Sequence, residues 1–424
     1  MKLNRKLLVV AMAFAMPCMS ALAQSPADLQ KEIELLKAQL KVLSEKIESL
    51  SNKAPAVEPQ EFNRLVQKMD LMEEDTSKAG FKGLKIKGTL EAVYQRDTNS
   101  ASTGFDQAKG NGGYGAAMLE FSKEPDEGMG WTLRLIPLRS QSSDVVNGSV
   151  SIPSLIHEAS ISIPIGEGGS KINAGLTPDY SGYEYSMGHQ NPLISNNLLY
   201  ANTAASNYMG VGMSHTFSSS LTAKWMVGQI DGYTSRKAPG LAYRADYAMG
   251  EYNGLGLSGV HFRTNGVDDH TNADLMEIDA YHTRGDLTLQ GQFSMGRVLK
   301  AGLDESGKNA RWLGVSGLVG YKLMPRLQAL VRADFIYNRA NGGGVYYNDG
   351  SYGPELSSDG SAADGSKGAN RYALTAGFNY AVNANTQWKT ELRFDRSTGY
   401  NFTNNYGELT KGNTTVGTSL VVSF

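Results

Sequence analysis

The sequence predicts an all-β transmembrane barrel of about 16 antiparallel strands, preceded by an α-helical coiled coil. Three observations predict it. From Leu84 to the final Phe424, segments of about ten residues alternate apolar and polar side chains. The connections between those segments are short and long by turns. A seven-residue apolar repeat stands ahead of them.

Residues 1–23 read as a signal peptide. Lys2, Arg5 and Lys6 make a basic start, and Leu7 to Met16 is an apolar run. At about ten residues it is too short to span a bilayer as a helix. Ala21-Leu22-Ala23 supplies small residues before a cleavage site. Cys18 is the only cysteine and would leave with this segment, so the mature chain is expected to have no disulfide and no thiolate chemistry. The formal charge of −2 becomes −5 once those three bases are subtracted. That balance gives no reason to expect nucleic acid as a partner.

Residues 24–54 are assigned to a periplasmic coiled coil. Leu29, Ile33, Leu36, Leu40, Leu43, Ile47 and Leu50 are spaced four and three apart by turns, a heptad seam. The seam is narrow, which favours self-association over burial on a broad core. Residues 55–80 form a linker broken by Pro55 and Pro59, followed by a second short amphipathic helix carrying Phe62, Leu65, Met69 and Met72.

Residues 81–424 are assigned to the barrel. From Leu84 the apolar period shortens to two: Leu84, Ile86, Leu90, Ala92 and Tyr94 alternate with Lys85, Lys87, Thr89, Glu91 and Gln95. Trp388, Thr390, Leu392 and Phe394 alternate with Lys389, Glu391, Arg393 and Asp395 in the same way. The expected strands are 84–97, 113–123, 130–140, 155–165, 170–178, 207–217, 221–231, 239–249, 255–264, 273–283, 287–297, 310–322, 326–338, 370–382, 386–398 and 413–424. Such strands average to a polar composition, in keeping with a mean hydropathy of −0.33. Tight turns at 166–169, 218–220, 252–254, 285–286, 324–325 and 383–385 alternate with long connections at 98–112, 141–154, 179–206, 298–309, 339–369 and 399–412. A soluble β-sandwich has no reason to alternate its loops this way. Asp349, Asp359 and Asp364 lack the spacing of a calcium loop, so no metal is expected there.

Pro178 to Asn207 breaks the strand pattern for about thirty residues, a length that usually marks a functional loop. It carries Asp179, Glu184 and four tyrosines. No Lys or Arg occurs between Ile172 and Ala223. It is expected to fold inward and narrow a pore.

Signal, coiled coil, barrel and terminal aromatic together resemble Gram-negative outer-membrane porins. The layout is near the phosphate-selective porins and is similar to β-barrel porin families with an N-terminal periplasmic coiled coil. Gly182-Tyr183-Glu184, Asn191-Pro192, Ser195 and Tyr200 match a local pattern of those families. The resemblance implies that the third long loop, 178–207, enters the lumen, with Asp179, Tyr183, Glu184, Tyr185 and Asn191 at the constriction. It also implies a homotrimer in outer-membrane lipid, and recognition of the strand ending at Phe424 by barrel insertion machinery. Arg134, Lys224, Arg244, Arg332, Asp334, Lys389 and Arg393 fall in the lumen phase and are expected on the pore wall.

The expected function is passive diffusion of small hydrophilic solutes through a water-filled barrel. The loop acids facing wall bases are expected to set the ion preference. The alternative is an envelope tether, with the barrel as anchor and the coiled coil reaching about 33 Å toward peptidoglycan. The six histidines carry no nucleophile motif, so no enzyme activity and no cofactor are expected.

Overall fold

The computed structural model describes residues 83–98, 103–106, 117–124, 128–136, 156–166, 168–205, 207–230, 238–263, 272–300, 309–339 and 354–424. The signal peptide, the coiled-coil seam from Leu29 to Leu50 and the second helix lie outside the described residues.

Among the described residues, sixteen strands close into one antiparallel barrel. In chain order they are β1 (Leu84–Asp97), β2 (Ala117–Lys123), β3 (Gly130–Leu135), β4 (Ile156–Ile165), β5 (Ser170–Pro178), β6 (Asn207–Thr216), β7 (Leu221–Ile230) and β8 (Gly240–Met249). They continue as β9 (Asn253–Arg263), β10 (Asn272–Arg284), β11 (Leu287–Val298), β12 (Ala310–Met324), β13 (Leu327–Arg339), β14 (Arg371–Asn383), β15 (Thr386–Ser397) and β16 (Gly412–Ser423). Each pairs with the next. β16 returns to β1 in the register Thr89↔Ser423 through Asp97↔Thr415. The chain end completes the seam: the Gly88 and Phe424 backbones exchange hydrogen bonds of 2.8 and 2.9 Å.

Alternation sorts the side chains. Ile86, Leu90, Trp225, Val227, Val331, Leu374, Val416 and Leu420 point outward and stay exposed. Their neighbours Glu91, Glu277, Ser294, Arg332, Lys389 and Glu391 point inward and are buried. A strand with lipid on one side and polar contents on the other gives this inversion of a soluble fold.

Of the strands expected at 113–123 and 130–140, Ala117–Lys123 and Gly130–Leu135 are observed, while 113–116 and 137–140 lie outside the described residues. Long connections carry structure that the sequence did not suggest. Thr103–Asp106 pairs with the far half of β1, Pro354–Leu356 pairs with Ala362–Gly368, and Phe402–Thr403 pairs with Leu409–Thr410. Tight turns are as short as Gly285–Asp286, where Gly285 takes φ +59°, open to glycine at no steric cost.

Four inward-phase glycines, Gly175, Gly210, Gly228 and Gly240, sit opposite one another across β5, β6, β7 and β8. They let neighbouring backbones approach closely. Gly212, in the same region, would place a Cβ 1.8 Å from the Trp225 carbonyl oxygen, whereas a Cβ at Gly317 meets nothing within 4 Å. Gly212→Ala is therefore expected to cut the yield of heat-resistant folded barrel on detergent gels, and Gly317→Ala to leave it unchanged. Equal yields would show that the wall tolerates the methyl group.

Candidate functional site

Pro178–Asn207 runs inside the barrel, held against the inward faces of β8 and of β10 to β15. The sequence left it structureless. In fact it contains a 3-10 turn, Gly188–Gln190, and a helix, α1 (Leu198–Thr203). α1 is only six residues long, too short to show periodicity. Its visible mark is Asn197, whose side chain accepts from the Tyr200 N–H at 2.7 Å as an N-cap. Leu198 and Leu199 bury their side chains beside Trp312, Met226 and Ile230. Leu193 packs on Leu318 and Leu330, and Ile194 on Val93 of β1.

The wall bases hold the backbone of this loop. Arg332 of β13 donates Nη1 to Glu184 Oε1 and to the Ser195 carbonyl, each at 2.7 Å, and Nη2 to the Asn196 carbonyl at 3.0 Å. Its Nε donates to Asp334 at 3.2 Å. Arg393 donates to the Asn196 carbonyl at 2.6 Å and pairs with Asp395. Lys389 donates to the carbonyls of Asn191 at 2.6 Å and Gly188 at 2.9 Å. Arg244 of β8 donates to the Tyr180 carbonyl at 2.9 Å and to Asp279 at 2.8 Å. In return, Glu391 accepts from the Ile194 N–H at 2.9 Å and the Ser195 N–H at 3.0 Å.

The loop acids are committed too. Glu184 accepts from the Asn197 N–H at 2.6 Å besides its pair with Arg332, and its side chain is 1% exposed. Asp179 accepts from the hydroxyls of Ser181 and Tyr208. Tyr183 lies against the wall, its hydroxyl 2.6 Å from Ser316 Oγ. Asn191 brackets Tyr185, donating to its carbonyl at 2.7 Å and accepting from its N–H at 2.9 Å. The Tyr185 ring itself is exposed.

Burial raises the Asp179 carboxyl from its ordinary 3.8 to about 6, against the lowering effect of its two hydroxyl donors. Such a group binds more protons folded than unfolded between those values. The stability it contributes is present in acid and lost as pH rises through about 6. Asp179→Asn is expected to flatten that part of the heat-denaturation profile, measured from about pH 4 to pH 7; an unchanged decline would place the titration elsewhere. Burial raises Glu184 as well, with Arg332 opposing.

On the other side of the loop, a cavity of about 430 Å³ lies against β3 to β7. Arg134, Glu158, Asn173, Tyr180, Tyr200 and Lys224 are among its lining residues. Arg134 is neutralised twice, by Glu120 at 2.6 Å and Glu158 at 2.7 Å. The Lys224 ammonium lies 4.1 Å from the centre of the Tyr180 ring and makes no hydrogen bond or ion pair among the described residues.

The structure thus separates the expected residues into two groups. Arg244, Arg332, Asp334, Lys389 and Arg393 attach the loop, with Asp179, Tyr183, Glu184 and Asn191 as partners. Arg134, Lys224 and Tyr185 border the cavity, which Asp179 and Glu184 also line. Sequence reasoning missed Glu391, Glu120, Glu158 and Ser316. Glu391 was visible as an alternating inward acid, but its backbone N–H partners leave no mark in the sequence.

The family model described as "Putative beta-barrel porin-2, OmpL-like" matches residues 83–424. The chain belongs to this family. It is an outer-membrane porin. No match is found among curated protein sequences. In fold the porin resembles OmpT of Vibrio cholerae, folded in vitro, at TM-score 0.53 and 11% identity, over 80% of this chain and 97% of that one. It also resembles an anion-selective porin from Comamonas acidovorans, at TM-score 0.52 and 11% identity, over 80% and 99% of the two chains. OmpF of Salmonella typhi, in complex with daunomycin, gives TM-score 0.51 and 12% identity, over 80% and 97%.

Proposed function

We propose that this porin passes small hydrophilic solutes by passive diffusion and that Pro178–Asn207 is its constriction. One observation carries the reading: the loop is fastened to one side of the lumen by four wall bases, and polar space remains on the other. Sixteen-stranded barrels are wide enough to hold both a packed loop and an aqueous path. The path would run past Arg134, Lys224, Asn173 and the tyrosines.

The geometry shifts the source of ion selectivity. Both loop acids border the cavity, but Glu184 is offset by its buried ion pair with Arg332, and Asp179 is held by two hydroxyl donors. Lys224 is the wall base left without a hydrogen bond or ion pair among the described residues, with Asp246, Asp179 and Glu158 acting on it only at longer range, and its charge favours anions. We assign no catalytic role to the channel. A homotrimer is proposed by likeness to the trimer form of Vibrio cholerae OmpT. A periplasmic N-terminus, contact with peptidoglycan and recognition of the Phe424 strand by insertion machinery belong to the same reading.

Planar-bilayer conductance of the refolded protein, with reversal potentials in a salt gradient, tests it. Stable open channels with mild anion preference are expected. A bilayer that stays silent would overturn the porin mechanism proposed here, and strong cation preference would overturn the role of Lys224.

A further inference from the structure

The outer face carries a charged row at the end of the barrel that bears the long connections. His261, Asp274, Arg297 and Arg311 are consecutive register partners across β9 to β12. The next outward row toward the barrel middle is Gly259, Met276, Met295, Leu313 and Tyr337. Its large side chains are exposed. The charged row therefore marks the upper border of the apolar band.

Its charges do not balance. Asp274 is the single acid of the row. It accepts from Arg297 Nε at 2.6 Å and faces His261 Nδ1 at 2.8 Å. Arg311 is exposed and makes no hydrogen bond or ion pair among the described residues. Neighbouring strands lie about 4.8 Å apart, and like charges directly opposite each other destabilise a sheet. Arg297 and Arg311 are such a pair. An anion lying between the guanidinium groups would relieve the repulsion. At the border of a lipid-facing surface, the anion within reach is a headgroup phosphate, which guanidinium groups bind with two parallel hydrogen bonds.

We propose that Arg297 and Arg311 form a site for the phosphate of an outer-leaflet phosphorylated glycolipid. The acyl chains would lie along Met276, Met295 and Leu313, and Tyr337 would stand at the level of the headgroup. The choice of leaflet rests on the porin reading, which puts the long connections outside the cell.

Purified full-length protein in detergent is titrated with lipid A, and bound lipid is counted by native mass spectrometry. Lipid A retention is expected, with at least a ten-fold weaker apparent affinity in the Arg297→Gln/Arg311→Gln variant. Lipid A stripped of its phosphates should bind the unmodified protein as weakly. Equal retention by protein and variant would overturn the site. Competition by inorganic phosphate at equal concentration would show a site for the free ion instead. Preference for phosphatidylglycerol would overturn the leaflet assignment. Loss of trimers in the variant, with no change in lipid, would make the row a contact between copies. The row lies outside the lumen, so variant conductance should match that of the unmodified protein. A protein that retains lipid A but conducts no current would refute the porin mechanism and leave the lipid site standing.

Discussion

Arg332→Gln is expected to raise the single-channel conductance and to make the open level fluctuate. The side chain of Arg332 is wholly buried, and so is that of its partner Glu184. Removing one member of a buried ion pair costs about 3–5 kcal/mol, because the other charge stays buried without compensation. Here the loss extends to the Ser195 carbonyl, left without its charged donor, while the Asn196 carbonyl keeps Arg393. An unpaired buried acceptor adds about 1–3 kcal/mol. The barrel itself is held by sixteen strand pairings that do not involve this side chain, so the cost falls on the attachment of the loop. A loop released from β13 retains Arg244 at Tyr180 and Lys389, Glu391 and Arg393 from Asn191 to Asn196, so the stretch around Glu184 gains the motion. Glu184→Gln should act in the same direction but less, because a glutamine oxygen can still accept from the Asn197 N–H while Arg332 keeps Asp334. The two variants, compared in planar bilayers and by uptake of sugars of increasing size, measure this. Wild-type conductance and size limit in Arg332→Gln would mean that the loop is held by its apolar contacts alone.

Lys224→Glu is expected to reverse the weak anion preference, and Lys224→Gln to abolish it. A unit charge about 4 Å from a passing ion is worth about 1 kcal/mol in bulk water and more where the protein lowers the dielectric. Neutralising it therefore changes relative ion occupancy roughly five-fold, and reversing it doubles the energy. Lys224 touches the Tyr180 ring and no acid at bonding distance, so its removal leaves no buried partner stranded. Asp179→Asn/Glu184→Gln serves as the comparison. Glu184 is paired with Arg332 and Asp179 holds two hydroxyl donors, so selectivity should depend on them less than on Lys224 even if conductance changes. Reversal potentials that follow the loop acids and ignore Lys224 would restore the acids as the selectivity determinant.

The strands were legible because a single physical boundary writes them. Lipid on one face and polar contents on the other impose a period of two, and most of the expected spans fall within two residues of those observed. Val416, Leu420 and Phe424 could be placed on one face from spacing alone. The loop was legible only by default, as the place where the period fails. Its shape depends on Arg332 and Lys389, which lie 148 residues beyond Glu184 and 201 beyond Gly188. Their partners are mostly backbone carbonyls, and any residue type supplies one. The wall bases could be assigned to the lumen by phase. Nothing in the spacing told a base that holds the loop, such as Arg393, from one that lines the cavity, such as Lys224.

The attachment of the loop also bears on the order in which this barrel can assemble. Residues 178–207 leave the chain early, between β5 and β6. The groups that fasten them arrive much later, on β13 and β15. Ile194 meanwhile packs on Val93 of β1, the strand that closes the circle with β16. Until the two ends of the sheet meet, Arg332, Lys389 and Arg393 face an unfinished interior, and Glu391 lacks its N–H donors. Docking the loop and zipping the final seam thus become one cooperative step. A half-closed intermediate gains strand pairings yet strands several charges, so it should be sparsely populated beside the open sheet and the completed cylinder.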